Sequence, residues 1–181
     1  MKRFIFGLSL MIMFSISVVT YSQCFYKEMQ ENIIRLHILA KSNSPEDQGI
    51  KLAVRDEVLS ATKDIDIKDT KNFLTIAQET ANQYLKDNNI PYHAKGEMGY
   101  FHFPKKEYEN ITLPAGKYKG VRIVLDEGKG KNWWCVMYPP VCTATNDEAL
   151  NMLKNSLSDN NYDIITQKPR VRFWLLDFLN K

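Results

Sequence analysis

A basic pair followed by a long uncharged stretch sets the first limit on what this chain can become. Lys2 and Arg3 precede Phe4 to Val19, a run without a charged side chain. The run falls short of the roughly 20 apolar residues that span a bilayer comfortably, and Gly7 and three serines interrupt it. A basic start, an apolar middle and a small polar exit make a secretory signal. Thr20 and Ser22 supply small residues at the −3 and −1 positions of a cleavage site before Gln23, although Thr is a poor substitute for Ala. Lipidation of Cys24 is disfavoured, because Tyr21 and Gln23 stand where an aliphatic and a small residue are needed. Residues 1–23 are thus expected to be a signal peptide or an amino-terminal membrane anchor, with membrane association through residues 4–19. Either reading places residues 24–181 outside the cytoplasm as a single extracytoplasmic domain.

That remainder has the length of one domain. With 44% hydrophobic and 12% aromatic residues the chain can build a core, so disorder is not expected. Setting Lys2 and Arg3 aside from the 24 basic side chains leaves 22 against 21 acidic ones. A near-neutral body gives no electrostatic case for a nucleic-acid partner.

Hydrophobic periodicity supplies the elements. Ile33 to Ala40 reads as a buried strand or as the end of a leading helix, with Arg35 and His37 alternating into it. Ser44, Pro45, Glu46 and Asp47 form a helix start: a capping hydroxyl, a proline suited to the first turn, and two acids facing the positive end of the dipole. Ile50, Val54, Val58 and Ala61 then recur at helical spacing, which predicts a helix over 45–61. A second helix opens at Thr70 with Phe73, Ala77, Ala81 and Tyr84 on its apolar stripe, and Asn88-Asn89-Ile90-Pro91 stops it. From Tyr92 to Tyr138 the period shortens, and three or four antiparallel strands with tight connections are expected. Thr145 with Glu148 is a capping box for a further helix carrying Leu150, Leu153 and Leu157. Val171, Trp174, Leu175, Phe178 and Leu179 give a last helical face expected to dock on the sheet. The fold class is therefore α+β, a small mainly antiparallel sheet packed with about three to four helices.

Few residues invite chemistry. His37, His93 and His102 lack the short spacing of a zinc site, and no Cys–His cluster accompanies them. No cofactor or metal is expected. A Gly-x-Ser-x-Gly elbow is also missing. Gly128-Lys129-Gly130-Lys131 departs from the phosphate-loop spacing, and Asn132 offers no hydroxyl for magnesium, so a glycine-rich hairpin loop is the better account. Cys135 and Cys142 flank Pro139-Pro140, and in an oxidising exterior they can close a small disulfide loop if their Cα atoms come within roughly 7 Å. Two buried free thiols are the alternative, and Cys135 as a nucleophile would require a base that no sequence signal marks. Trp133 and Trp134 face opposite sides of any strand, so one enters the core and the other can anchor a partner. The acids of the 45–61 helix are spaced with Lys51 and Arg55 for surface pairing.

Three stretches together resemble the stage II sporulation protein R family of endospore-forming bacteria. They are Arg35-Leu36-His37-Ile38-Leu39-Ala40-Lys41-Ser42-Asn43-Ser44-Pro45-Glu46-Asp47-Gln48 with Lys51, Val54, Arg55 and Asp56 behind it; Leu113-Pro114-Ala115-Gly116-Lys117-Tyr118; and Gly128 to Val136 with Pro139, Pro140 and Cys142. Lys41 departs from the family's usual Asn before Ser. The resemblance implies a non-enzymatic signalling protein made in the forespore and exported into the space between the forespore and mother-cell membranes. There it would switch on a membrane-embedded aspartic protease that processes an inactive mother-cell sigma factor. Such a ligand must bind the active arrangement of the protease more tightly than the inactive one. The candidate contacts are Arg35, His37, Asn43, Asp47, Arg55, Lys131, Trp133 and Trp134, each with a structural role as its competitor: Asn43 in a cap, Arg55 in an ion pair, Trp134 in the core. The alternatives are an exported cell-envelope enzyme or an envelope-binding module using Cys135 and its aromatic loop.

Overall fold

In the computed structural model, which describes residues 2–63, 65 and 69–166, strand β1 (Ile34–Leu39) occupies an inner position of a four-stranded sheet. Six successive residues of β1 are buried or nearly so, although Arg35 and His37 alternate with Ile34, Leu36 and Ile38. The sheet has the order β2-β5-β1-β6, from β2 (Ala94–Phe103), β5 (Gly116–Leu125) and β6 (Asn132–Tyr138). β2 and β6 run antiparallel to their neighbours, but β1 and β5 are parallel, with Leu36 opposite Val121 and Ile38 opposite Ile123. The expected α+β class with a mainly antiparallel sheet is what the structure shows, and the single parallel pairing of β1 with β5 makes that sheet mixed. A short hairpin of β3 (Lys106–Tyr108) and β4 (Ile111–Leu113) forms a second, two-stranded sheet.

One face of the large sheet packs against α2 (Pro45–Thr62) and α3 (Thr70–Asp87). Ser44 caps α2 by accepting from Asp47 N, as its sequence requires, and Asp69 caps α3. Val54, Val58, Phe73, Ala77 and Ala81 meet Leu36, Ile38, Val121, Ile123 and Cys135 in this layer. Removing an aliphatic side chain of this kind from water contributes about 1.5–3 kcal/mol. The edge of β2 is closed by α3: Gln78 Oε1 accepts from Gly96 N at 2.8 Å, and the Asn82 amide exchanges two 2.9 Å bonds with Ala94.

The opposite face is covered by a second layer that contains the expected helix after Thr145 and, beyond what the sequence indicated, the end of the first helix, a short hairpin and a further short helix. α1 (Lys2–Asn32) runs unbroken through the expected boundary at Gln23. Its residues 4–17 are exposed, whereas Ser22, Phe25, Tyr26 and Met29 are buried. Here α1 meets the β3–β4 hairpin, α4 (Asn146–Ser156) and α5 (Asp159–Thr166). The capping box at Thr145 and Glu148 opens α4. Glu28 reaches from α1 to the start of α5, accepting from Ser158 N, Ser158 Oγ and Asn161 Nδ2. The face expected at 171–179 lies outside the described residues.

The loop after β5 is not a hairpin, because β1 lies between β5 and β6. Residues 126–131 instead cross the carboxyl end of β1. Gly128 adopts φ +64°, and Gly130 passes so near the 40–44 loop that a Cβ would sit 2.2 Å from Ser42 O. Glycine is required there by contact.

Candidate functional site: the crossing at the end of β1

Two loops and the first turns of α2 meet at the carboxyl end of β1. Gly130 N donates to Ala40 O at 2.8 Å, Lys129 N to Lys41 O at 3.1 Å, and Lys131 N to Asn43 Oδ1 at 2.9 Å. Asn43 therefore shapes the crossing loop. Asp47 is the hub of the other side: Ser42 Oγ donates to it at 2.5 Å and Tyr92 OH at 3.1 Å. The Ser42 bond, with help from Tyr92, Ser44 and Lys41, holds the Asp47 carboxyl below the usual carboxylate range. Burial first, then the Asp47 carboxylate, pushes the Tyr92 phenol up. Lys41 pairs with Asp126 at 3.2 Å and lies over the Tyr92 ring at 4.8 Å.

Lys51 ties α2 to the crossing loop. Its ammonium donates to Gln48 Oε1 at 2.6 Å and to Lys131 O at 3.2 Å, and the residue is 5% exposed. Burial, then the charges of Arg55 and Lys131, lower its pKa. One turn further along α2, Arg55 pairs with Asp56 at 2.7 Å and stacks over the Trp133 ring at 5.1 Å. The fold thus gathers Asn43, Asp47, Arg55, Lys131 and Trp133 into one corner, in which Arg55 and Asp47 are partly exposed and Asn43 and Lys131 exposed. Sequence reasoning missed Lys51, Gln48 and Tyr92 as its fasteners. Lys51 stands four residues before Arg55, the helical spacing that puts both on one face.

Arg35, His37 and Trp134 lie elsewhere, on the second-layer face of the sheet, and the expectation of a surface contact is corrected for Arg35 and His37. Arg35 is 0% exposed, held between the rings of Phe103 (4.3 Å) and Tyr118 (5.1 Å) and donating to Tyr108 OH at 3.3 Å. Residue 120 must be glycine for this packing, since a Cβ would meet Arg35 O at 2.9 Å and the Phe103 ring at 3.0 Å. His37 is buried and stacked on Trp134 with ring centroids 3.9 Å apart. Neither imidazole nitrogen makes a hydrogen bond of normal geometry. Burial, reinforced by Arg122 and Arg35 and opposed by the neighbouring Asn132 side chain, lowers its pKa to about 4. His37 is a neutral interior group at physiological pH.

Cys135 and Cys142 are disulfide-bonded with Cα atoms 6.1 Å apart, and Cys135 is buried. In that state Cys135 offers no thiolate for catalysis. Among the described residues no group of three or more His, Cys, Asp or Glu is placed to hold a metal ion.

Comparison with known proteins bears on the same residues. Residues 30–148, which include the whole corner, match the family model described as stage II sporulation protein R. The stage II sporulation protein R of Bacillus subtilis (strain 168) is 35% identical over 125 residues, covering 62% of this chain and 54% of that relative. The match therefore spans about half the length of the curated relative. No solved structure matches. With more than half its length inside the family model, this chain belongs to the stage II sporulation protein R family.

Proposed function

We propose that this protein is an exported sporulation signal that acts by binding, with the corner at the end of β1 as its contact surface. Family membership supports the sporulation role, and the apolar amino-terminal helix is compatible with export by a signal peptide or with an anchor. Its partner, on this reading, is a membrane-embedded aspartic protease, which it activates from the space between the forespore and mother-cell membranes so that a mother-cell sigma factor is processed.

The observation that carries the reading is the rigid presentation of the corner. Asn43, Lys51 and Gly130 lock two loops onto α2, so Lys131, Arg55 and Trp133 are offered in a fixed arrangement. A preset surface loses little side-chain freedom on docking, and it can favour one arrangement of a partner over another. Co-expression of the chain with the protease and its sigma-factor substrate in a non-sporulating host tests this. Processing that depends on the chain supports the reading; processing that is absent, or unchanged when the chain is omitted, sinks it.

A further inference from the structure

The two edges of the large sheet are treated differently. At β2 the outward backbone groups of Ala94 and Gly96 are satisfied by Asn82 and Gln78, the kind of cover that stops further strand addition. At β6, among the described residues, no strand and no side-chain amide covers the outer edge. Ala40 N donates to Lys131 O across the ladder, and alternation along an antiparallel pair then turns the amides of Asn132 and Trp134 away from β1 on the accessible stretch of the edge, whereas Val136, which faces the same way, is buried.

This open edge has two distinct ends. At the amino end stand Lys131, Arg55 over Trp133, and the buried ammonium of Lys51. Arg55 has Asp56 as its ion-pair partner, and no ion pair occupies Lys51 or Lys131 among the described residues. At the carboxyl end a crevice of about 270 Å³ opens beside Val136, Met137 and Tyr138, walled by Leu59, Phe73 and Met152. An extended peptide gains its affinity from main-chain bonds to such an edge and its specificity from side-chain pockets along it.

We propose that β6 is a strand-addition site. An extended segment of the partner protein, acidic at the end that meets Lys131 and Arg55 and apolar at the end that meets the crevice, pairs there as a fifth strand. Charge selects this occupant over the chain's own carboxyl-terminal stretch, since Lys168, Arg170 and Arg172 would bring like charge to the basic end. The proposal rests on the binding reading above and gives its partner a chemistry.

The test uses the full chain with the co-expressed protease and its substrate. A photo-crosslinking phenylalanine analogue is placed at Asn132, on the open edge, and at Lys95, on the closed one. Crosslinking to the protease from position 132 and not from 95 is expected. Asn132→Pro, which removes an outward amide while leaving the β1 ladder its donors, and the pair Lys131→Glu with Arg55→Glu should each lower processing about tenfold. Unfolding midpoints confirm that the variants are folded. Failure of the wild-type chain to promote processing refutes the binding reading itself. If wild type promotes it while the crosslink comes from 95, or forms within the chain to residues 167–181, or the folded variants act like wild type, strand addition alone is overturned.

Discussion

Acid should destabilise this fold well above the pH at which carboxylates titrate, and His37 is the reason. The imidazole has an ordinary pKa of 6.5 and is lowered to about 4 in the folded chain. Between those values the unfolded chain binds the proton more readily, so stability falls as pH falls. The loss begins near pH 6.5 and levels off below about pH 4. At pH 5 the unfolded histidine is almost fully protonated and the folded one almost fully neutral. The difference in stability between pH 7 and pH 5 comes to about 2 kcal/mol. Urea unfolding at the two pH values, followed by tryptophan fluorescence with α1 held in mild non-ionic detergent, measures it. The comparison chain is His37→Phe, which keeps a ring against Trp134 and removes the titrating group. Wild type should lose about 2 kcal/mol, and the variant most of that less. Equal losses in both chains would refute the assignment, because the acid sensitivity would then arise from other groups.

Three further outcomes follow from geometry already described. Gly130→Ala should destabilise the protein by about 1–3 kcal/mol, since the new methyl collides with the Ser42 carbonyl; the urea midpoint reads it, and Gly49→Ala, at a site with open space, serves as the control that stays stable. Cys142→Ser should cost about 2–3 kcal/mol by releasing the short loop from Cys135, with the same urea assay showing no further loss when reductant is added to the variant. Glu28→Ala removes the acceptor shared by Ser158 and Asn161; amide exchange across 159–166 should speed up by about tenfold or more, while exchange in β1 stays unchanged.

Local chemistry was the legible part of this sequence. Ser44 and Pro45 start α2, and Thr145 with Glu148 starts α4, because each cap is complete within a few residues. What depended on distant partners was not. Nothing in Ile33 to Ala40 announces that β1 pairs in parallel with β5, since the order and direction of neighbouring strands are set by residues distant in sequence and leave no mark in local periodicity. The same omission turned a crossing loop into an expected hairpin: 126–131 looks like a tight turn until β1 is placed beneath it. Arg35 and His37 illustrate the energetic version. Polar residues alternating with Ile34, Leu36 and Ile38 suggest a solvated face, but α1, the β3–β4 hairpin and α4–α5 cover it, and aromatic rings receive the guanidinium instead of water. α5 escaped notice because eight mostly polar residues carry little periodicity, and it is anchored by Glu28, far away in sequence. The corner was partly readable: Asn43, Asp47, Arg55, Lys131 and Trp133 were candidates before their meeting was known, while Lys51 looked like one more surface lysine.

The unbroken course of α1 has a mechanical consequence. A stiff rod with one greasy half and one half built into the body cannot swivel between them as a floppy tether would. Each residue advances the rod about 1.5 Å and turns it by a fixed angle. Inserting one alanine near Val19 would therefore twist the body by roughly 100° about the rod. As long as the helix stays whole, whatever grips the greasy half also aims the open edge of the sheet.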